Sequence, residues 1–186
     1  MPAEPLYGFE QLQERHVQAD FHCGVDALDR YFRERALHEF KKHVAATLVL
    51  VERATGAVIG FYTLSSLGID AGDLPPKLAR RIPRYPRLPA TLLGRMAVAE
   101  SFRSQGFGGI LLIDALRRAF ESRRTVASIA VVVDAKGDQA RDFYLHYGFL
   151  PFPGHSHRLF IMMETIEQML SRMRMRATLR LPPPTH

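Results

Sequence analysis

Residues 101–109 read Ser101-Phe102-Arg103-Ser104-Gln105-Gly106-Phe107-Gly108-Gly109, with an apolar run before them and another after. A glycine-rich turn that opens a helix leaves several backbone N–H groups unpaired and aimed one way, at the positive end of the helix dipole. Gly106 and Gly108 let the chain take positive φ and let phosphate oxygens approach with no Cβ in the way, while Arg103 adds a full positive charge beside them. This chemistry suits a diphosphate. A P-loop would end in Gly-Lys-Ser/Thr, and a dinucleotide fingerprint would place a third glycine where Leu111 stands, so the turn is neither. The plain alternative is a glycine turn that only tightens a strand-to-helix corner.

A second group with usable chemistry is Tyr144, in Phe143-Tyr144-Leu145-His146-Tyr147-Gly148-Phe149. A phenol can supply a proton to a departing atom; equally, Ala140, Phe143, Tyr144 and Tyr147 stand near one another on one helix and could simply pack. No carboxylate presents itself as a general base. Glu100 falls beside the glycine turn, where negative charge is awkward for a phosphate, and Glu52 and Asp70 fall at strand ends. For an amine nucleophile that gap is informative: a lysine amine, with a reference pKa of roughly 10.4, needs a base at neutral pH far more than an α-amine at roughly 7.7–8.0. The sequence leans toward an α-amine acceptor. His155 and His157 have no partner cluster for a metal, so no metal site is expected, and Cys23 beside His22 reads as a small buried side chain.

These groups need elements to hold them. Residues 92–99 read as a buried strand feeding the turn and 110–122 as a mostly buried helix. A second buried strand at 127–133 leads into a helix at 139–147 that Gly148 terminates, and 158–164 supplies a last strand. Upstream, Leu28, Tyr31, Phe32, Leu37 and Phe40 recur at helical spacing over 25–40, with Asp26 placed to cap and Arg30, Arg33 and Arg35 on the outer face. Runs at 46–52 and 58–67 form a β-hairpin around Arg53-Ala54-Thr55-Gly56. Five prolines break up 72–90, a basic loop with one helical turn near 77–81, which is either a solvated connector or a substrate-docking surface. The order specifies an α/β (α+β) fold, a mixed central sheet with helices on both faces. One domain is expected over 1–170, followed over 171–186 by a basic, flexible tail; a helix beginning near Thr165 would fray there, and its basic amphipathic face could also bind a partner or a membrane surface.

Composition bounds the rest. The chain has 186 residues, 47% hydrophobic and 24% charged, which argues against wholesale disorder. A single cysteine excludes a disulfide-stapled scaffold. The first residues lack a secretory pattern and no apolar run is long enough to span a bilayer, so the expected location is cytoplasmic with no membrane partner. A net charge of +6 favours a polyanionic partner without choosing among a phosphate-bearing cofactor, nucleic acid or an acidic protein.

Arg-x-x-Gly-x-Gly after a strand and opening a helix resembles the acetyl-CoA signature of the GNAT acetyltransferases, and the later Phe-Tyr pair followed by Gly-Phe resembles the second half of the same family's pattern. The resemblance implies the GNAT acyltransferase fold, with splayed fourth and fifth strands, and acetyl-CoA as cofactor. It implies that Arg103, Ser104, Gln105, Gly106, Phe107, Gly108 and Gly109 cradle the pyrophosphate, that Met96, Ala97 and Val98 on the fourth strand pair with the pantetheine arm near Phe143, and that Tyr144 protonates the departing thiol.

The stretch 6–164 further resembles the GNAT toxins of bacterial toxin–antitoxin modules. Phe21-His22-Cys23-Gly24 leading into Leu28-Asp29-Arg30-Tyr31, the proline-basic insert Pro83-Arg84-Tyr85-Pro86, the strand Leu92-Leu93-Gly94-Arg95-Met96-Ala97-Val98 and the closing Arg158-Leu159-Phe160 carry it. Met96 replaces the usual leucine, and the arginine-rich tail from Ser171 extends past the family's core. This likeness implies acetylation of the α-amine of aminoacyl-tRNA, a ribbon-helix-helix antitoxin as partner, and tRNA docking by Arg30, Arg33, Lys41, Lys42, Arg80, Arg81, Arg84 and Arg87; a homodimer stays open. The rival readings are an acetyltransferase for a small-molecule amine or a protein N-terminus, and a binding module that has lost turnover.

Overall fold

A computed structural model describes residues 5–179. Its seven strands form one mixed sheet in the order β1-β2-β3-β4-β5-β7-β6. The chain divides into two compact units, Met1–Leu67 with Leu92–Ala115 and Gly68–Thr91 with Leu116–His186.

The first unit contains β1 (Tyr7–Gln11), α1 (Glu14–Gln18), α2 (Asp26–Glu34), α3 (Ala36–Lys41), β2 (Ala46–Glu52), most of β3 (Val58–Asp70), the end of β4 (Arg87–Val98) and the start of α5 (Phe107–Ser122). β2 and β3 pair as the expected antiparallel hairpin, Leu48 opposite Tyr62 and Val49 opposite Phe61, and Gly56 takes φ 74° in its turn. The core is aromatic: Phe32 lies 4.6 Å and Phe21 5.5 Å from Phe61, ring centre to ring centre. Each such ring, fully buried, is worth roughly 1.5–3 kcal/mol. Tyr62 donates to the buried Asp114 carboxylate at 2.6 Å, which gives a polar group inside α5 its partner.

Three expectations for this unit need correction. The helix over 25–40 is two helices, bent at Arg35 (φ −121°, ψ −34°), although the Arg35 N–H still donates to the Tyr31 carbonyl and Glu39 N–H to that of Arg35. Asp26 is the first residue of α2 rather than its cap; Val25 occupies the cap position and offers no side-chain acceptor. β1 and α1 were not foreseen: β1 owes its form to antiparallel pairing with β2 rather than to alternation of its own residues.

The second unit holds the remainder of β3, β4 and α5, with α4 (Pro76–Ala79), β5 (Ala130–Asp134), α6 (Asp138–His146), β6 (Leu150–Pro151), β7 (Arg158–Met162) and α7 (Met163–Leu179). β5 and β7 pair antiparallel, Val132 opposite Phe160. β4 begins at Arg87, five positions before the expected 92, and absorbs Pro89, because that residue has only to accept: its carbonyl takes the Ile129 N–H at 2.9 Å. The last strand stops at Met162, where α7 takes over, and α7 continues through Ser171 to Leu179. Of the flexible tail expected over 171–186, the part at 180–186 lies outside the described residues.

Candidate active site

The glycine turn forms as the sequence suggests, with a different division of labour. A 3-10 turn at Glu100–Phe102 leads into it and α5 starts at Phe107. Positive φ falls on Ser104 (60°) and Gly106 (83°), while Gly108, expected to share that role, is the second residue of α5. Left-handed residues at such a corner gather successive N–H groups into a concavity that suits an anion. A Cβ built on Gly106 would meet no atom within 4 Å, so the turn faces open space and its glycine is required by φ, not by crowding. Gly109 and Ile110 donate back to the Gly106 carbonyl, which closes the first turn of α5 and leaves its leading N–H groups directed outward. Gln105 reaches back to the Ser101 carbonyl at 3.3 Å, and Phe107 packs edge-on against Tyr7 at 5.4 Å. These residues fit a pyrophosphate.

Arg103 is held by the opening motif. Its guanidinium donates to the Cys23 carbonyl and lies 3.4 Å from Glu100. Glu100 also faces His22 at 3.6 Å, and its backbone N–H donates to the His22 carbonyl. Asp29, 5% exposed, accepts the Cys23 N–H at 2.7 Å and faces His22 Nδ1 at 2.6 Å. Burial pushes the Asp29 carboxyl upward, but the Cys23 hydrogen bond and the neighbouring His22 outweigh it and leave the group below its ordinary value. Glu100 therefore does not stand unpaired beside the turn, because the Arg103 guanidinium lies 3.4 Å from its carboxylate and the His22 ring 3.6 Å from it. Cys23 is buried, with its thiol pushed up to about 11 mainly by that burial, so it is no ready nucleophile.

On β4, Met96 and Val98 are half-buried, and Ala97 packs into the core with Tyr31, Phe32 and Phe61. Beside them Arg95 was not singled out from the sequence. Its guanidinium lies 3.7 Å over the Tyr31 ring and 3.8 Å from Glu39, which also accepts from Tyr31 and from Arg35, both at 2.9 Å. Glu39 is a half-buried carboxylate that carries no motif of its own in the sequence, since it lies on α3 in a stretch whose pattern shows only an amphipathic helix.

In the second unit Tyr144 lies on α6, 9% exposed, its ring 5.3 Å from those of Phe143 and Phe149. Burial pushes its phenol up to about 12. Gly148 at φ 89° ends α6 and lets Phe149 N–H return to the Tyr144 carbonyl at 3.2 Å.

The expected docking residues are all exposed. Arg30 and Arg33 stand on α2, with Lys41 and Lys42 at the end of α3. Arg80, Arg81, Arg84 and Arg87 belong to the second unit, where Arg81 pairs with Glu164 at 3.3 Å and Arg87 faces Asp70 at 3.7 Å. Among the described residues no group of three or more His, Cys, Asp or Glu side chains could hold a metal, and no helix is long and apolar enough to cross a membrane.

A strand, a glycine turn and a helix in this order define a class, and the family model described as the acetyltransferase (GNAT) family matches residues 9–149, so the chain belongs to the GNAT acetyltransferases. Its relatives are more particular. The probable toxin TacT of Sinorhizobium fredii is 30% identical over 84% of this chain and 90% of its own length. The tRNA-acetylating toxin of Mycobacterium tuberculosis is 34% identical over 77% of this chain and 84% of its own. Among solved structures, AtaT complexed with acetyl-methionyl-tRNAfMet superposes with a TM-score of 0.81 at 26% identity, covering 88% of this chain and 99% of that one.

Proposed function

We propose that this protein is an acetyl-CoA-dependent N-acetyltransferase and a toxin that acetylates the α-amine of aminoacyl-tRNA, so that the charged tRNA is lost to translation. The observation that carries the reading is the Ser104–Gly106 corner opening α5 with Arg103 fixed beside it, in a chain whose relatives include a tRNA-acetylating toxin. The proposed site of action is the cytoplasm, where charged tRNA is found, and the proposed protein partner is an antitoxin.

Acetyl-CoA supplies the activated acyl group. The chain's own residues do the rest. Arg103 and the N–H groups of the turn would hold the pyrophosphate, and backbone groups of Met96, Ala97 and Val98 on β4 would pair with the pantetheine arm. Tyr144 is the residue assigned to donate a hydrogen bond from Oη to the sulfur that would depart. With its phenol at about 12, Tyr144 stays protonated throughout the neutral range. A thiol ionises at roughly 8.5, so a thiolate is a weaker base than the Tyr144 phenolate, and the donor acts through a hydrogen bond that strengthens as charge develops on sulfur rather than by complete transfer. No base is assigned to the acceptor, because an α-amine with a reference value of roughly 7.7–8.0 is already partly neutral near pH 7–8, and the adjacent electron-withdrawing ester lowers that value further.

The test incubates the purified protein with radiolabelled acetyl-CoA and total charged tRNA, with deacylated tRNA as control. Label that enters only charged tRNA and leaves on mild alkaline deacylation is the expected result. No label, with cofactor binding confirmed by thermal shift, would redirect the assignment to small amines and protein N-termini.

A further inference from the structure

Arg95 has a setting unlike that of the other basic residues of its unit. Arg30, Arg33, Lys41 and Lys42 are exposed side chains on helix surfaces, whereas Arg95 projects from β4 and is half-buried. Its guanidinium is stacked on the Tyr31 ring at 3.7 Å and faces Glu39 at 3.8 Å. Its backbone N–H donates to the Thr63 hydroxyl at 3.0 Å, which ties the strand position as well. Tyr31, itself 4% exposed, hydrogen-bonds Glu39 at 2.9 Å, so the ring and the carboxylate that hold Arg95 also hold each other.

The charges in this cluster do not cancel. Glu39 serves two guanidiniums, Arg35 at 2.9 Å and Arg95 at 3.8 Å, so one positive charge is left over. A guanidinium carries five N–H donors in a planar fork, and one carboxylate at 3.8 Å does not engage them all. The Arg95 side chain keeps 35% of its surface exposed. Stacking on an aromatic face leaves the edge of the fork available, and a side chain already fixed loses little entropy when that edge takes up a ligand. Arg95 immediately precedes Met96 on β4, the strand assigned to the pantetheine arm, which makes it the basic residue of this unit nearest in sequence to that assignment.

We propose that Arg95 is a substrate-contact residue that grips a backbone phosphate of the RNA acceptor, with Tyr31 and Glu39 as its positioning residues. This rests on the reading of aminoacyl-tRNA as acceptor. Arg95 thereby sets the register of the RNA, whereas the exposed basic residues on α2 and α3 supply attraction without register.

The experiment measures KM for aminoacyl-tRNA across a range of salt concentrations, with KM for acetyl-CoA and the unfolding temperature measured in parallel. Each phosphate contact contributes about 0.7–0.9 to the slope of log affinity against log salt. Arg95→Gln is expected to lower that slope by about this amount and to raise KM for aminoacyl-tRNA about tenfold at fixed salt, the size of a lost charged hydrogen bond, with KM for acetyl-CoA unchanged. Arg95→Lys should restore the slope and recover only part of the affinity, because an ammonium keeps the charge but not the fork. Tyr31→Phe and Glu39→Gln should keep the slope and raise KM less. If Arg95→Gln fails to fold, Arg95→Met, which keeps the apolar stem, is read in the same way. A wild-type slope in the uncharged variants, or an equal rise in KM for acetyl-CoA, overturns the role of Arg95 while acetylation of charged tRNA by the wild type stands. Wild-type protein that labels no charged tRNA overturns the parent reading and this inference with it.

Discussion

Arg103 precedes the glycine corner that opens α5 and Tyr144 lies in the last turn of α6 before the glycine that ends it, and the two are held by opposite means. Around Arg103 the contacts are a carbonyl, a carboxylate and, one step further, His22 and Asp29, and the guanidinium side chain stays 52% exposed. Around Tyr144 they are aromatic rings, and the residue is 9% exposed. The difference follows from the task each is assigned. A residue that binds a dianionic group must keep its donors open to the ligand and be fixed by charges that burial would penalise. A residue that is to donate a hydrogen bond to developing negative charge must stay protonated, and burial extends that condition well into the alkaline range by raising the phenol to about 12.

The largest effect expected from this contrast belongs to the buried partner. Tyr144→Phe removes one oxygen and leaves the ring packing intact. Transfer should fall by roughly 10²–10⁴-fold, the usual scale for a lost proton donor, while acetyl-CoA affinity stays within about twofold. Equal turnover would remove Tyr144 from the chemistry and leave it a packing residue. In the wild type, turnover should rise with pH as the amine loses its proton and should show no alkaline decline from Tyr144 until pH approaches about 12. A decline near pH 9 in single-turnover measurements would mean that a different group provides the proton.

Two glycines sharpen the comparison on the polar side. Gly24 and Gly106 both take positive φ, 76° and 83°. Gly106 has no atom near its missing Cβ, whereas a Cβ on Gly24 would collide with the Glu100 carboxylate and lie 2.9 Å from Arg103 Nη2. Gly106→Ala therefore costs conformational strain alone, about 1 kcal/mol, or roughly 2–4 °C of unfolding temperature in a chain of this size. Gly24→Ala adds the displacement of Glu100 from Arg103, and we expect about 2 kcal/mol, roughly 4–8 °C, with weaker acetyl-CoA binding as well. Identical melting curves for the two variants would show that the opening loop does not support the turn.

The sequence made the turn legible because a phosphate cradle is a local device: glycine, arginine and the following helix lie within a few residues of one another. The hairpin at 46–67 and the Gly148 stop were legible for the same reason. What stayed hidden depends on pairings over long separations. β1 has no alternating pattern and exists through β2. Pro89 argued against a strand, yet in β4 it needs only to accept a hydrogen bond. Glu100 looked unfavourable until His22 and Arg103 were found beside it. Arg95 was read as one letter of a strand motif, because neither Tyr31 nor Glu39 is near it in sequence. The Phe21-His22-Cys23-Gly24 motif was noticed as a likeness, but its physical purpose, a carbonyl for Arg103 and a partner for Glu100, required the fold.

The smallest expected effect probes the far end of that polar network. Asp29 is buried and does not touch the turn; it fixes Cys23 through the backbone N–H, and the Cys23 carbonyl fixes Arg103. Its pKa is lowered in the folded state, so the unfolded chain binds the proton more readily. The stability it contributes is complete above the unfolded value of roughly 3.9 and is lost as pH falls through the lower folded value. Asp29→Asn retains an amide oxygen for the Cys23 N–H but gives up the charge. At pH 7 the variant should be less stable by about 1 kcal/mol, within the range for a hydrogen bond to a charged group once a neutral one replaces it. In denaturant unfolding followed from pH 7 to the acid limb, the gap between wild type and variant should close below about pH 4 as the wild-type carboxylate protonates. A gap that persists unchanged into acid would mean that the Asn side chain repacks badly and that the Asp29 charge contributes nothing, and the polar side of the comparison would then begin at Glu100 rather than one residue deeper.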